Sequence, residues 1–179
     1  MPIRSLNILG LLGVSGILVA AFFYQLVLGE LPCPLCLLQR GAFVALGLGF
    51  LFNIRFGSSP AHYGLMLIGA VIGAGISLRQ VLLHIRPVDP GYGTTLLGLH
   101  FYSWALAAFT GSILYAGLLL LLEGVNPSPE RASKPVDRLA AASLWLFALL
   151  VAGNLASTLL ECGLGPCADN PTVYDWLHS

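Results

Sequence analysis

Four cysteines stand in two close pairs, Cys33 with Cys36 and Cys162 with Cys167, and the chain has no others. Two thiols so near in sequence can close and reopen as a disulfide, or bind a metal as thiolates. The first pair lies in LPCPLCLLQR, residues 31–40, where Arg40 follows Cys36 by four positions. Exchange runs through the thiolate, which a helix N-terminus or a nearby cation favours. Pro32 and Pro34 suit a helix entry. A helix beginning near Leu35 puts Cys36 in its first turn with Arg40 on the same face, and i,i+3 spacing brings the two sulfurs within bridging range.

The elements that must carry these residues belong to a membrane. Of 179 residues, 57% are hydrophobic and only 9% charged, against roughly 25% charged in a soluble domain. Eight basic and eight acidic side chains cancel, so no basic surface points to nucleic acid. A spanning helix needs about 20 apolar residues, and the apolar intervals predict five of them, at about 6–29, 35–54, 62–84, 96–122 and 139–160, in a single all-α helical bundle. The uncharged stretch of the second, Gly41 to Ile54, is too short alone, so that helix must begin near Leu35 and carry Arg40 inside its end. The polar linker GVNPSPERASKPVDR separates the fourth from the fifth, and residues 161–179 form a tail that holds the second cysteine pair. MPIRSLN resembles the start of a signal peptide, but the apolar stretch after it is longer than the usual 7 to 15 residues. Gly69 and Gly73 match the small-xxx-small pattern of close helix packing.

Basic residues near span ends set orientation. With a cytoplasmic N-terminus, Arg4, Arg55, Arg131, Lys134 and Arg138 fall inside, and Arg40, Arg79 and Arg86 outside. Five spans then put both cysteine pairs and the C-terminus on the outer face, the oxidising compartment where disulfides persist. Leu31, Leu35, Leu37 and Leu38 place the first pair at the level of a lipid-soluble oxidant. A membrane quinone is the natural acceptor, with Arg40 stabilising the Cys36 thiolate and the negative charge that develops on quinone oxygen. An arginine near a span end also snorkels to headgroups with no chemical part, but its place four residues after a CxxC favours the chemical role. In the tail, two glycines and a proline between Cys162 and Cys167 allow a small closed ring, and Asn170-Pro171 resembles a helix start that leaves Tyr174, Trp176 and Leu177 at the interface. An isolated pair of this kind is ordinarily a structural staple. On the same face as a CxxC it also suits a relay, taking electrons from an outer dithiol and passing them to Cys33 and Cys36 through a mixed disulfide.

The run PCPLCLLQR resembles the DsbB family of quinone-dependent disulfide-generating proteins of the bacterial inner membrane, and Arg79-Gln80 followed by His84 extends the resemblance over roughly the first four spans. The resemblance implies that Cys36 contacts the quinone, Cys33 exchanges with the second pair, Arg40 is needed for quinone reduction, and Arg79 and His84 lie near the quinone. It further implies ubiquinone ahead of menaquinone and a periplasmic DsbA-like thiol oxidase as partner. The chain departs from the family in one respect. The loop HIRPVDPGYGTTLLGLHFYS, where the family carries its second pair, has no cysteine, and the pair follows an additional fifth span instead. A vitamin-K-epoxide-reductase-like enzyme carries similar chemistry but keeps its CxxC near a late span. An all-thiolate metal site, or inert disulfides in a structural membrane protein, are the readings from other classes.

Overall fold

In lipid every backbone N–H and C=O must find its partner within the chain, so the apolar intervals fold as helices. The computed structural model describes residues 3–86, 88–125 and 137–178. Five helices among them are long and apolar enough to cross a membrane: α1 (Ile3–Val27), α2 (Pro34–Phe56), α3 (Pro60–Leu83), α4 (Phe101–Val125) and α5 (Arg138–Cys162). At 1.5 Å per residue each is roughly 35 Å long, enough for the hydrocarbon core with some tilt. Most of the linker, residues 126–136 with Arg131 and Lys134, lies outside the described residues.

The helix ends follow local chemistry. Pro34 and Pro60 open α2 and α3, where a missing N–H costs nothing. Asp137 caps α5 by accepting from the Ala140 N–H at 2.9 Å. Gly57 and Gly163, with φ of 87° and 58°, let the chain turn away after α2 and α5.

Helix α2 packs on α3, α3 on α4, and α1 on α2, while α5 packs on α1 and α2 and contributes Phe147 to the shared core. Leu11, Leu18, Leu46, Phe50, Tyr63, Met66, Phe109 and Phe147 are fully buried at its centre. Small residues allow the closest approach. A Cβ on Gly69 would stand 3.0 Å from the Leu46 nitrogen of α2, which realises the small-residue pattern read in the sequence. One end of the bundle is tied by amides: Asn53 Nδ2 donates to Asn7 Oδ1 at 3.0 Å, and Asn53 Oδ1 accepts from Ser59 N–H at 3.2 Å. Large apolar side chains such as Leu26, Ile68, Leu114 and Trp145 cover the outer surface, as lipid contact requires.

Two boundaries differ from those expected. The fourth span starts at Phe101 rather than near Leu96, because residues 95–100 form a hairpin, β1 (Thr95–Leu96) paired with β2 (Leu99–His100). Its turn needs left-handed backbone at both Leu97 (φ 53°) and Gly98 (φ 79°). The tail helix α6 (Asp175–His178) begins later than Asn170-Pro171. The Cys162–Cys167 bridge holds the chain at one end of this stretch and Tyr174, docked on α1, holds it at the other.

Phe109 is stacked on Phe43 with ring centroids 3.9 Å apart, and a Cβ on Gly73 would collide with the Phe109 ring. Gly73→Ala is therefore expected to destabilise the protein by about 1–3 kcal/mol. Gly75→Ala, with open space at its Cβ, should be neutral or stabilising by up to about 1 kcal/mol. Thermal melting in detergent checks both, and equal melting points would contradict the packing.

Candidate redox site

Cys33 is the N-cap of α2, and it forms a disulfide with Cys36 across a Cα separation of 5.0 Å. The Cys36 N–H donates to Cys33 Sγ at 3.2 Å. Gln80 of α3 donates its Nε2 to the same sulfur at 3.3 Å and lies 3.7 Å from Cys36 Sγ. Gln39 fixes that amide by donating to Gln80 Oε1 at 2.8 Å, and both glutamines are buried. The helix N-terminus therefore serves the Cys33 sulfur directly.

Arg40 is buried, and its hydrogen bonds run to α1 rather than to sulfur. Nη1 donates to Gln25 Oε1 at 2.6 Å and Nη2 to the Ala21 carbonyl at 3.1 Å, with the Phe22 ring 5.5 Å from the guanidinium carbon. A buried guanidinium needs strong acceptors to offset its desolvation, and α1 presents two. Because Gln25 accepts from Arg40, its Nε2 donates onward, to Ser157 Oγ of α5 at 2.6 Å and to the Tyr174 hydroxyl at 3.1 Å. This chain of contacts puts the N-terminus of α2 and the C-terminus of α5 at one end of the bundle, and with them both cysteine pairs.

Beside the first pair, a cavity of about 350 Å³ opens between α1, α2, α4 and the loop before β1. Leu18, Phe43 and Ala105 give it apolar walls, while Cys36, Gln39 and Arg40 supply its chemistry. Tyr92, also on the wall, ties the loop over the pair by donating to the Leu31 carbonyl at 2.7 Å. Burial pushes the Tyr92 hydroxyl up, and the Glu161 and Glu30 carboxylates push it further, so it stays a donor. A flat apolar ring with carbonyl oxygens fits this set of greasy walls and N–H donors.

Arg79 and His84 stand apart from the cavity lining. Arg79 is exposed, since the turn of the helix that aims Gly73, Ser77 and Gln80 inward aims residue 79 outward. His84 caps α3, pairs through Nδ1 with Asp89 Oδ1 at 3.0 Å, and stacks on Tyr102, a cavity-wall residue, at 5.5 Å. The Gly91 N–H, and after it His84, hold the Asp89 carboxyl below the usual carboxylate range.

The second pair is bonded across a Cα separation of 4.5 Å. Cys162 is buried and Cys167 half-buried, with the Gly165 N–H bonded to the Cys162 carbonyl to tighten the ring. Among the described residues no three or more His, Cys, Asp or Glu side chains gather as a metal-ligand set. The sequence suggested no role for Gln25, Gln39, Gln80 or Glu161. Each is a polar residue at or within an apolar span, which is the available signal for function. Glu161 had been placed in the tail, yet it belongs to the last turn of α5 and is buried.

A donor on the Cys33 sulfur stabilises its thiolate more than the disulfide. Gln80→Leu should thus make the Cys33/Cys36 couple roughly 30 to 60 mV more reducing, the loss expected for a hydrogen bond to a charged group. Equilibration against dithiothreitol buffers in a chain lacking the second pair measures it, and an unchanged potential would contradict the role given to Gln80.

A family model described as "Disulfide bond formation protein DsbB" matches residues 3–94. Proteins named "Disulfide bond formation protein B" from Xanthomonas euvesicatoria pv. vesicatoria and Xanthomonas axonopodis pv. citri are each 43% identical over 91 residues, covering 48% of this chain and 53% of theirs. One of the same name from Xylella fastidiosa (strain Temecula1) is 40% identical over 89 residues, covering 47% of this chain and 51% of its own. The chain thus spans about half the length of the curated relatives it matches. No solved structure matches it. The family match holds α1 to α3, the first cysteine pair, Arg40, Gln80 and His84, and ends before α4 rather than after it. Over that half, which includes the redox pair and most of the residues around it, the chain belongs to the DsbB family.

Proposed function

We propose that this protein is a quinone-dependent thiol oxidase of the bacterial inner membrane. It generates disulfides and hands them to a periplasmic thioredoxin-like, DsbA-like dithiol. Electrons flow from that partner to Cys162 and Cys167, then to Cys33 and Cys36, then to quinone, with ubiquinone preferred to menaquinone. The observation that carries the reading is the Cys33–Cys36 disulfide at the mouth of an apolar cavity whose wall holds Cys36 and Arg40. The N-terminus is cytoplasmic, and both pairs face the periplasm.

The partner's thiolate attacks Cys167, the more open sulfur of the tail pair, and the partner's second thiol completes its disulfide, leaving Cys162 and Cys167 as thiols. Cys162 then attacks Cys33, breaking the Cys33–Cys36 bond and forming a mixed disulfide, while Cys36 leaves as a thiolate facing the cavity. Cys167 attacks Cys162 and releases Cys33, whose thiolate the Cys36 N–H and Gln80 receive. A quinone held there supplies a two-electron, two-proton acceptor. Leu18, Phe43 and Ala105 exclude water around it, and the second N–H of the Gln39 amide offers a donor. Arg40, fixed by Gln25 and Ala21, keeps a positive charge beside the reacting atoms without needing to move. His84 acts through its stack on Tyr102, and Arg79 marks the same outer end of α3.

Anaerobic turnover tests the proposal, with purified protein in detergent, a reduced thioredoxin-like dithiol, and ubiquinone or menaquinone followed by absorbance. Wild type should reduce quinone, faster with ubiquinone, and both Cys36→Ser and Cys167→Ser should fall to background. Full turnover in Cys167→Ser would make the tail pair a staple, and no turnover in wild type with either quinone would defeat the reading.

A further inference from the structure

The last turn of α5 puts a carboxylate where a membrane helix rarely carries one. Glu161 is only 2% exposed, and neither of its oxygens has a hydrogen-bond partner. It immediately precedes Cys162 and lies far beyond residue 94, where the family match ends. The charged and titratable groups in its electrostatic reach come from three other elements: Arg40 of α2, Tyr92 of the loop over the first pair, and Asp175 of α6. It thus adjoins the second cysteine pair in sequence and is in electrostatic reach of two residues of the cavity wall, Arg40 and Tyr92.

The two pairs occupy opposite kinds of helix end. Cys33 caps the N-terminus of α2, where the backbone favours a thiolate, whereas Cys162 ends α5 at a C-terminus, where the helix dipole opposes one. Cys162 is also buried, which further disfavours the charged form. Its thiol needs a base to become a nucleophile, and Glu161 has lone pairs on both oxygens free for a proton.

We propose that Glu161 is the proton acceptor for the Cys162/Cys167 dithiol. The proposal rests on the relay reading above. As Cys162 Sγ bonds to Cys33 Sγ, its proton passes to the Glu161 carboxylate, the Cys33–Cys36 bond breaks, and Cys36 leaves as a thiolate. When Cys167 closes the tail disulfide and Cys33 is released, the proton on Glu161 and the one from Cys167 go to the two sulfurs of the first pair. The tail has then lost two electrons, the first pair has gained them, and Glu161 is again a carboxylate.

The test is the pH profile of quinone reduction by the full-length protein, with reduced thioredoxin and a short-chain ubiquinone as probes. Glu161→Gln should cost at least roughly tenfold near neutral pH. The deficit should shrink as the pH rises toward the thiol's own ionisation, and Glu161→Asp should recover part of the rate. A loss equal at every pH, a lowered melting temperature with an unchanged profile, or no loss at all overturns the proton role and leaves Glu161 as a counter-charge for Arg40. The Cys162→Ser, Cys167→Ser double variant separates the two levels. Full turnover there overturns the relay and this proposal with it, whereas loss there with a pH-independent Glu161→Gln effect overturns the proton role alone.

Discussion

A guanidinium buried within a membrane helix must be satisfied from its neighbours, and that one requirement organises the active end of this bundle. Arg40 takes Gln25 and the Ala21 carbonyl of α1 as acceptors. Once Gln25 has given its oxygen to Arg40, only its Nε2 is left, and that amide fastens Ser157 of α5 and Tyr174 of the tail. A single side-chain amide thus connects α2, α1, the added fifth helix and the C-terminal segment. The cationic wall of the cavity and the position of the second cysteine pair follow from the same contact.

The amide pair Gln39 and Gln80 does for the sulfurs what Gln25 does for Arg40. It spans α2 and α3 and presents an N–H to Cys33, on which the helix N-terminus also converges. The two disulfides are chemically unequal as a result. The first gains donors for its reduced form, while the second sits at a helix C-terminus beside a carboxylate. This difference favours electrons moving from the tail to Cys33 and Cys36, the direction that the proposed oxidase needs.

Much of this was legible in the sequence. The five apolar intervals became five helices, because lipid leaves the backbone no alternative. The CxxC and its proline entry marked the start of the second helix, where Cys33 caps α2 and Pro34 opens it. The start of α4 was misplaced because Leu96, Leu97 and Leu99 continue the apolar pattern, while a turn at Leu97 and Gly98 leaves no mark in hydropathy. Arg40 was assigned to Cys36 on helical spacing alone, since acceptors on α1 are a matter of tertiary packing. Gln80 went unused because neighbouring positions 79 and 80 point about 100° apart on a helix, and the charged one drew attention although the amide faces the disulfide. Glu161 was counted as solvated tail because the fifth apolar interval ends one residue before it, whereas α5 continues through Cys162.

The central claim is that the tail pair and the first pair exchange directly. Trapping the mixed disulfide tests it, in a chain carrying Cys36→Ser and Cys167→Ser so that only Cys33 and Cys162 remain. After mild oxidation in the membrane and alkylation, mass spectrometry of the digested protein should find Cys33 joined to Cys162 within one molecule in most of the sample. If both cysteines are recovered as alkylated thiols, or are joined only between molecules, the two pairs do not meet and the relay is wrong.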